Sequence, residues 1–497
     1  MQKEILINVE SQEIRVAVVE GSRLESYYVE RPSQETLVGN VYKGIVKSVV
    51  SGIGAAFVDI GHGKNGFLYV SDMLSPSHEF DLLEEEGKAS PARRARPRPS
   101  EINKLAKEKQ EVLVQVVKDT IGNKGPRLTT HVGIPGRFTV LMPFDRHMGV
   151  SKKVSDRAER NRLHKILKKL FSGLKMGIIV RTAGSGKSEG DFRREIRYST
   201  ALWRTIQKIS SKAKAPSLIH EEYGLTYRIL RDIFSEDVTR VLVDSRTEYK
   251  KLRQFANNLM PSMKRKLMLY RERVNLFDSR GIEKEIEGLY GKKVGIKCGG
   301  YIVIEETEGL IAIDVNSGSF SRKHIEDTAF KVNCEAAAEI ARQIRLRDIG
   351  GIVVIDFIDM AQHGRRRELF DILINAVKKD KAKIQILRMS EFGIVQMTRQ
   401  RIRRGVRKVS YQNCPYCSGR GSVKSVTTMS IEVLRAIKKE LERSRAKEIR
   451  SYVHSDVANY LLNEDRPSIT KMESEHRARI VIIAEPDLHI ERFKVQR

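Results

Sequence analysis

Four cysteines in 497 residues are too few for a disulfide framework. A chain without one belongs in a reducing compartment, so a cytoplasmic setting is expected. No apolar run approaches the ~20 residues that span a bilayer, which excludes a transmembrane helix. The start, Met1-Gln-Lys-Glu-Ile5, lacks the basic-then-apolar order of a signal peptide. Nucleophilic catalysis is poorly provided for: there is no Gly-x-Ser-x-Gly elbow, no histidine pair and no Cys–His constellation. Internal repeats are absent too. Acidic residues run short: 91 Lys and Arg face 63 Asp and Glu, a formal net charge of +28. Such a field attracts polyanions, nucleic acid first and an anionic membrane surface second. Hydrophobic residues make up 40% and mean hydropathy is −0.38, as in a chain of several globular domains with ample core.

Two short apolar segments, each running into an aspartate, carry most of the chemistry. They are Gly309-Leu-Ile-Ala-Ile-Asp314-Val-Asn316 and Gly350-Gly-Ile-Val-Val-Ile-Asp356-Phe-Ile-Asp359. Between them, residues 325–347 have Ala329, Ala336, Ala337, Ile340 and Ile344 at helical spacing. Strand, helix and strand predict two parallel strands whose ends meet at one sheet edge, where α/β proteins bind ligands. The strand period puts Asp314 and Asn316 on one face. Oxygen ligands converging there suit magnesium, a hard cation held by one or two carboxylates. The plain alternative is that each aspartate only ends a strand or caps the helix, and spacing leaves both readings open.

Residues 4–30 read as successive strands. From Val38 come short strands with glycine corners, continuing to Val112–Val117, a pattern expected of an OB-like barrel. Residues 83–111 interrupt it with charged, proline-rich text and read as a disordered loop. Helices are expected at 156–172, 189–213 and 246–258, and strands at Gly177–Arg181, Thr239–Asp244 and Ala478–Ile483.

Smaller motifs divide between functional and plain readings. Arg181-Thr-Ala-Gly-Ser-Gly186-Lys-Ser188 imitates a phosphate loop, but Arg181 stands where the first glycine belongs, so nucleotide hydrolysis is rejected. An arginine fork beside a hydroxyl still suits a terminal phosphate. Cys414-Pro-Tyr-Cys417 is half a zinc site, and a second copy of the chain is expected to complete it; the alternative is a bare turn. Cys298 and Cys334 read as buried apolar residues. Phe57 and Phe67 are either base-stacking aromatics on the barrel surface, with Lys124 nearby, or core, and the residues alone favour core. The basic run Arg399–Lys408 is either an RNA-backbone contact or a solvated face, its position beside the carboxylates favouring the former.

In this order the motifs closely resemble the ribonuclease E/G family. The matching stretches are Gly39–Gly44, Ala55–Asp59, Val180–Gly184, Ala312–Gly318, Ala341–Arg347, Val354–Met360 and Cys414–Gly421. The likeness runs from about residue 4 to the end, and the chain stops near residue 497 without the long scaffold of the larger members. It implies a magnesium-dependent endoribonuclease that cuts single-stranded RNA by hydrolysis, leaves 5′-phosphate and 3′-hydroxyl ends, and acts in rRNA processing and mRNA decay. Asp314 and Asp356 match the family's magnesium ligands and Asn316 its supporting polar residue. Phe57, Phe67 and Lys124 match RNA-binding positions, which tips the barrel reading away from core. Gly136, Val140, Arg181 and Thr182 match a pocket that reads a 5′-monophosphate. Cys414 and Cys417 match a zinc link between two protomers of a homodimer, with a tetramer left open.

The implied fold is multidomain α/β and β. An RNase H-like domain (1–38 and 225–290) is split around an OB-fold domain (39–130) and a 5′-end sensor (131–224). A DNase I-like catalytic domain (291–410), a zinc link (411–424) and a small C-terminal domain (425–497) follow. Two departures stand out: the composition of 83–111, and Ile134-Pro-Gly136-Arg-Phe around the sensor glycine. Without the resemblance, a non-catalytic RNA-binding protein or a ribosome-associated assembly factor would be the alternatives.

Overall fold

The structure, a computed structural model, describes residues 2–31, 36–74, 102–119, 125–307, 309–319, 324–380, 382–400, 410–412, 414–444 and 446–497. It divides into two compact units, 1–409 and 410–497. Among the described residues no helix is long and apolar enough to cross a membrane.

The N-terminal strands join a partner more than 200 residues away. A five-stranded sheet runs in the order Leu267–Leu269, Val238–Val243, Lys3–Val9, Ile14–Glu20, Arg23–Glu30. Lys3–Val9 is parallel to Val238–Val243 and antiparallel to Ile14–Glu20. Consecutive Ile5, Leu6 and Ile7 are all buried. A strand covered on both faces needs such an unbroken apolar run rather than alternation.

The chain between these strands builds two further sheets. In the first, Val41–Val50, Ala55–Asp59, Gly66–Tyr69, Arg127–Thr129 and Glu111–Lys118 pair in that order, and Glu111–Lys118 returns to Val41–Val50. The result is a closed five-stranded barrel, as expected of an OB-like domain. Gly66 is required by close approach, since a Cβ there would lie 2.5 Å from Leu128. Part of the segment expected to be a disordered loop is instead structured. The turn Ile102–Leu105 places Ile102, with Ala106 after it, in the barrel core. These apolar residues were masked by the charged text before them. In the second sheet, Met148–Val150, Gly177–Val180, Thr139–Met142 and Ile134–Pro135 pair in order, backed by helices Arg157–Phe171 and Glu189–Lys212.

Six strands follow in the order Lys293–Gly295, Tyr301–Glu306, Leu310–Asn316, Gly351–Asp356, Ile394–Arg399, Ile384–Ile386. The expected parallel pair, Leu310–Asn316 with Gly351–Asp356, is present. Helices Ile325–Leu346 and His363–Val377 cover one face, burying Ile311, Ile313 and Val315 against Ala329, Ala336, Ala337 and Ile340. Alanines at the contact let helix and sheet approach closely. Ion pairs tie the first helix to the N-terminal sheet: Arg345 of the helix pairs with Glu25 at 3.0 Å, and Arg23 of the sheet with Glu339 of the helix at 2.6 Å.

In the second unit, Arg479–Ala484, Glu448–Val453 and Phe493–Gln496 form a sheet in that order, packed by helices Val426–Ser444 and Arg466–His476. The strand Glu448–Val453 escapes sequence reading because its outward residues are charged or polar.

Candidate active site and RNA-contacting surfaces

Asp314 and Asp356 face each other directly across the parallel pair, on strands about 4.8 Å apart. Both are exposed. They lie on the sheet face that the helices leave open, on the two middle strands of the six, and at the C-terminal ends of the parallel pair as expected: Asp356 closes its strand and Asp314 is two residues from the end of its own. The alternation of the strand explains this: Ile313 and Val315 point into the core, so Asp314 and Asn316 must point out. Asn316 donates its Nδ2 to Asp314 Oδ2 at 2.7 Å, which fixes the carboxylate's orientation. Asp359 adds a third carboxylate three residues beyond Asp356. Partial desolvation, then the negative charges of Asp314 and Asp359, push the Asp356 carboxyl above its ordinary value. Among the described residues, no lysine or arginine is paired with any of the three. Hard oxygens on the register-paired Asp314 and Asp356 suit a divalent cation, while among the described residues no group of three or more His, Cys, Asp or Glu is placed to hold one.

One buried polar residue braces this centre and another ties the far end of the Asp356 strand; sequence reading missed the first and misread the second. Asn333 is fully buried on the covering helix. Its Nδ2 donates to Ile358 O at 2.7 Å and its Oδ1 accepts from Ile358 N at 3.0 Å. This grips the backbone between Asp356 and Asp359, and losing it would leave two buried groups unpaired at about 1–3 kcal/mol each. The sequence offered no clear signal, since the same helix also buries Thr328, Glu339 and Gln343. Arg399, expected to open an RNA-contacting basic run, is buried instead. It donates to Asp348 at 2.7 Å, to Asp380 at 2.8 Å and to Ile349 O at 2.7 Å. With its charge spent inside the fold it is not available to RNA. Residues 401–408 of that run lie outside the described residues.

On the barrel, Phe57 and Phe67 are cross-strand partners with ring centroids 4.6 Å apart. They alternate with buried Ala56, Val58 and Leu68, so both stand half-buried on the outer surface rather than in the core. Tyr69 is exposed nearby, with the Arg127 guanidinium 5.4 Å from its ring. Lys124 lies outside the described residues.

The four residues expected to read a 5′-phosphate do converge. Arg181 donates to Gly136 O at 2.8 Å, and its backbone N–H donates to Phe138 O at 2.7 Å. Val140 pairs with Ile179 on the adjoining strand, its side chain buried. Thr182 is exposed, its hydroxyl 3.2 Å from that of Ser151. Arg181 is not idle, however: it is ion-paired with Asp232 at 2.7 Å. Burial works against the charge on Asp232, but Arg231 and Arg181 overcome it and hold its pKa at about 2.

Glu195, absent from the sequence reading, shapes the turn. Its buried carboxylate accepts from the N–H groups of Arg137, Phe138 and Thr139 and from the Thr139 hydroxyl. Burial nonetheless pushes its carboxyl up. Gly136 is needed here because a Cβ would lie 2.3 Å from Glu195 Oε1. In the phosphate-loop imitation, Gly186 N donates to Glu159 at 2.7 Å and Lys187 pairs with Glu236. That loop is already filled by its own carboxylates.

The sequence profile of the ribonuclease E/G family matches residues 133–402, and that of the RNase E/G thioredoxin-like domain matches 413–497. The chain belongs to the ribonuclease E/G family. Escherichia coli K12 ribonuclease G is 36% identical over 496 residues, covering 100% of this chain and 99% of the relative. Haemophilus influenzae ribonuclease G is 37% identical over 463 residues, or 93% and 92% of the two chains. Escherichia coli ribonuclease E is 37% identical over 500 residues, all of this chain but 46% of that protein. As a family member the chain is an endoribonuclease, and the family resemblance read from the motifs holds.

In the family's thioredoxin-like unit, Cys414 is exposed and Cys417 half-buried. The N–H of Gly421, at 3.3 Å from Cys417 Sγ, leads the interactions that lower this thiol's pKa; that of Gly419 and the Cys414 thiol add to it. A stabilised thiolate is what metal ligation needs. Among the described residues no group of three or more His, Cys, Asp or Glu is placed to hold a metal, so the two thiols by themselves are half of a tetrahedral site. Cys298 and Cys334, expected to be buried, are only partly so, and pack against the core of the six-stranded sheet.

Proposed function

We propose that this endoribonuclease hydrolyses single-stranded RNA at the Asp314–Asp356 pair with magnesium, leaving 5′-phosphate and 3′-hydroxyl ends. The observation that carries the reading is the register: two exposed aspartates, side by side on the two middle strands of an open sheet face and, among the described residues, without cationic partners. Asp314 and Asp356 would hold the ion, and Asn316 keeps Asp314 turned toward it. When bound, magnesium supplies Lewis-acid activation of water and offsets charge on the scissile phosphate. The chain's own part is to hold the two carboxylates ionised at fixed spacing, with Asn333 bracing the loop behind Asp356.

Phe57 and Phe67 offer ring faces for stacked bases, which suits single strands over duplexes. Gly136, Val140, Arg181 and Thr182 form the 5′-monophosphate pocket in this reading, where a phosphate competes with Asp232 for Arg181. Cys414 and Cys417 bind zinc jointly with a second chain, making a homodimer or a tetramer of such pairs. The substrates are rRNA precursors and mRNA in the cytoplasm.

The finer fold assignments belong to the same reading. An RNase H-like domain split around its insertions is supported by the sheet that joins Lys3–Glu30 to Val238–Leu269, and the open-faced sheet of 291–400 corresponds to the DNase I-like domain. Cleavage of a labelled single-stranded oligonucleotide with and without magnesium tests the proposal. Cutting only with magnesium, with 5′-phosphate products, is expected; metal-independent cutting or cyclic-phosphate ends would refute it.

A further inference from the structure

Among the described residues, the open face carries a cation, Lys293, that the cleavage centre does not use. Successive register partners lay out a row across five strands: Lys293, Val303, Asp314, Asp356, Ile394. Directly opposed residues share a face, so Lys293 stands on the same surface as the carboxylates, two strands or roughly 10 Å from Asp314. Its Nζ sits 3.6 Å from the centroid of the Tyr301 ring, and Tyr301 is the register partner of Asn316. The neighbouring Lys292 is neutralised by Glu305 at 2.9 Å, whereas Lys293 has no carboxylate partner among the described residues. Gly318 belongs to the same corner, where a Cβ would lie 2.7 Å from Gly299 O and 3.4 Å from Tyr301 Cδ1.

We infer that Lys293, held in place by Tyr301, binds a backbone phosphate of the RNA flanking the scissile one, and so sets where the strand lies across the carboxylate pair. A fixed ammonium beside two uncompensated carboxylates solves a physical difficulty. The carboxylates repel an incoming polyanion, and a cation offset by two strands attracts the neighbouring phosphate without neutralising the metal ligands. The ring's role is to position: an exposed lysine otherwise spreads over many rotamers, and a cation–π contact narrows them. This inference rests on reading Asp314 and Asp356 as the cleavage centre.

The test is steady-state cleavage of a single-stranded oligonucleotide by the full-length protein, read as KM and kcat over a range of salt. Lys293→Gln should raise KM roughly tenfold with kcat little changed, and lower the salt slope of log KM by about 0.7, the value for one lost contact on a single strand. Tyr301→Phe keeps the ring and should behave as wild type. Tyr301→Leu should raise KM in the same direction, and adding it to Lys293→Gln should have little further effect, since the two act as one unit. Replacing the flanking phosphate by an uncharged methylphosphonate should abolish the difference between wild type and Lys293→Gln. Unchanged KM and salt slope in Lys293→Gln, or a difference that survives the methylphosphonate at each flanking position, would overturn the inference. Normal cleavage by Asp356→Asn would instead overturn the placement of the centre, a separate failure.

Discussion

The carboxylate centre and the arginine pocket treat charge in opposite ways. On the open sheet, Asp314 and Asp356 are exposed and, among the described residues, without cationic partners; partial desolvation, then the charges of Asp314 and Asp359, raise the pKa of Asp356. Around Arg181, every charge is met from within: Arg181 pairs with Asp232, Asp232 also with Arg231, and Arg231 with Glu222 at 2.7 Å. The first arrangement costs free energy until a ligand arrives. The second is a finished structural network that a phosphate enters only by displacing or sharing a partner. Chemistry is therefore expected where charge is left open, and modulation where it is already balanced.

Breaking the open site should have the largest effect. Asp314→Asn and Asp356→Asn should each reduce single-turnover cleavage by roughly a thousandfold or more, as loss of a metal ligand does. RNA affinity should stay within a few-fold, because other phosphate contacts carry binding. Breaking the balanced site should appear first in stability. Asp232→Asn removes the partner of two arginines and should cost about 2–3 kcal/mol at pH 7 in chemical denaturation. The folded pKa of Asp232 is depressed, so its contribution is present above the ordinary aspartate pKa and lost as pH falls toward about 2. The gap between wild type and variant should accordingly close below about pH 4.

On the barrel, Phe57→Ala or Phe67→Ala should weaken binding of single-stranded RNA roughly tenfold, the worth of one stacked base, measured by fluorescence anisotropy. The smallest effect is expected from Arg181→Ala. It should remove a several-fold preference for a 5′-phosphate over a 5′-hydroxyl oligonucleotide while sparing internal cleavage, since Asp232 already takes much of the arginine's charge. A wild type indifferent to the 5′ end would mean that the balanced network is purely structural.

What sequence could disclose followed from periodicity. The strand period put Asp314 and Asn316 on one face, and the alanine-lined helix between two apolar segments implied the parallel crossover. Periodicity also located the barrel, apart from the short strand Arg127–Thr129, too brief to carry a pattern. It could not disclose the register that sets Asp314 against Asp356, nor which face stays open, since both depend on where later strands pair. Arg399 misled because a buried, triply satisfied arginine looks the same in sequence as a solvated one. Glu195 and Asn333 went unseen because a lone polar residue in a helix gives no sign that it grips a distant backbone. Val140 entered through the family resemblance alone; its side chain is buried, so only its backbone can face a phosphate.

The most direct measurement is the rate of single-turnover cleavage of one 5′-phosphorylated, single-stranded oligonucleotide as magnesium is titrated, with wild type and Asp356→Asn side by side. A rate that climbs to saturation with magnesium in wild type and stays near background in the variant, with RNA still bound, is the predicted result. A variant that cuts at a rate close to wild type at any magnesium concentration would contradict the assignment of the open carboxylate pair as the cleavage centre.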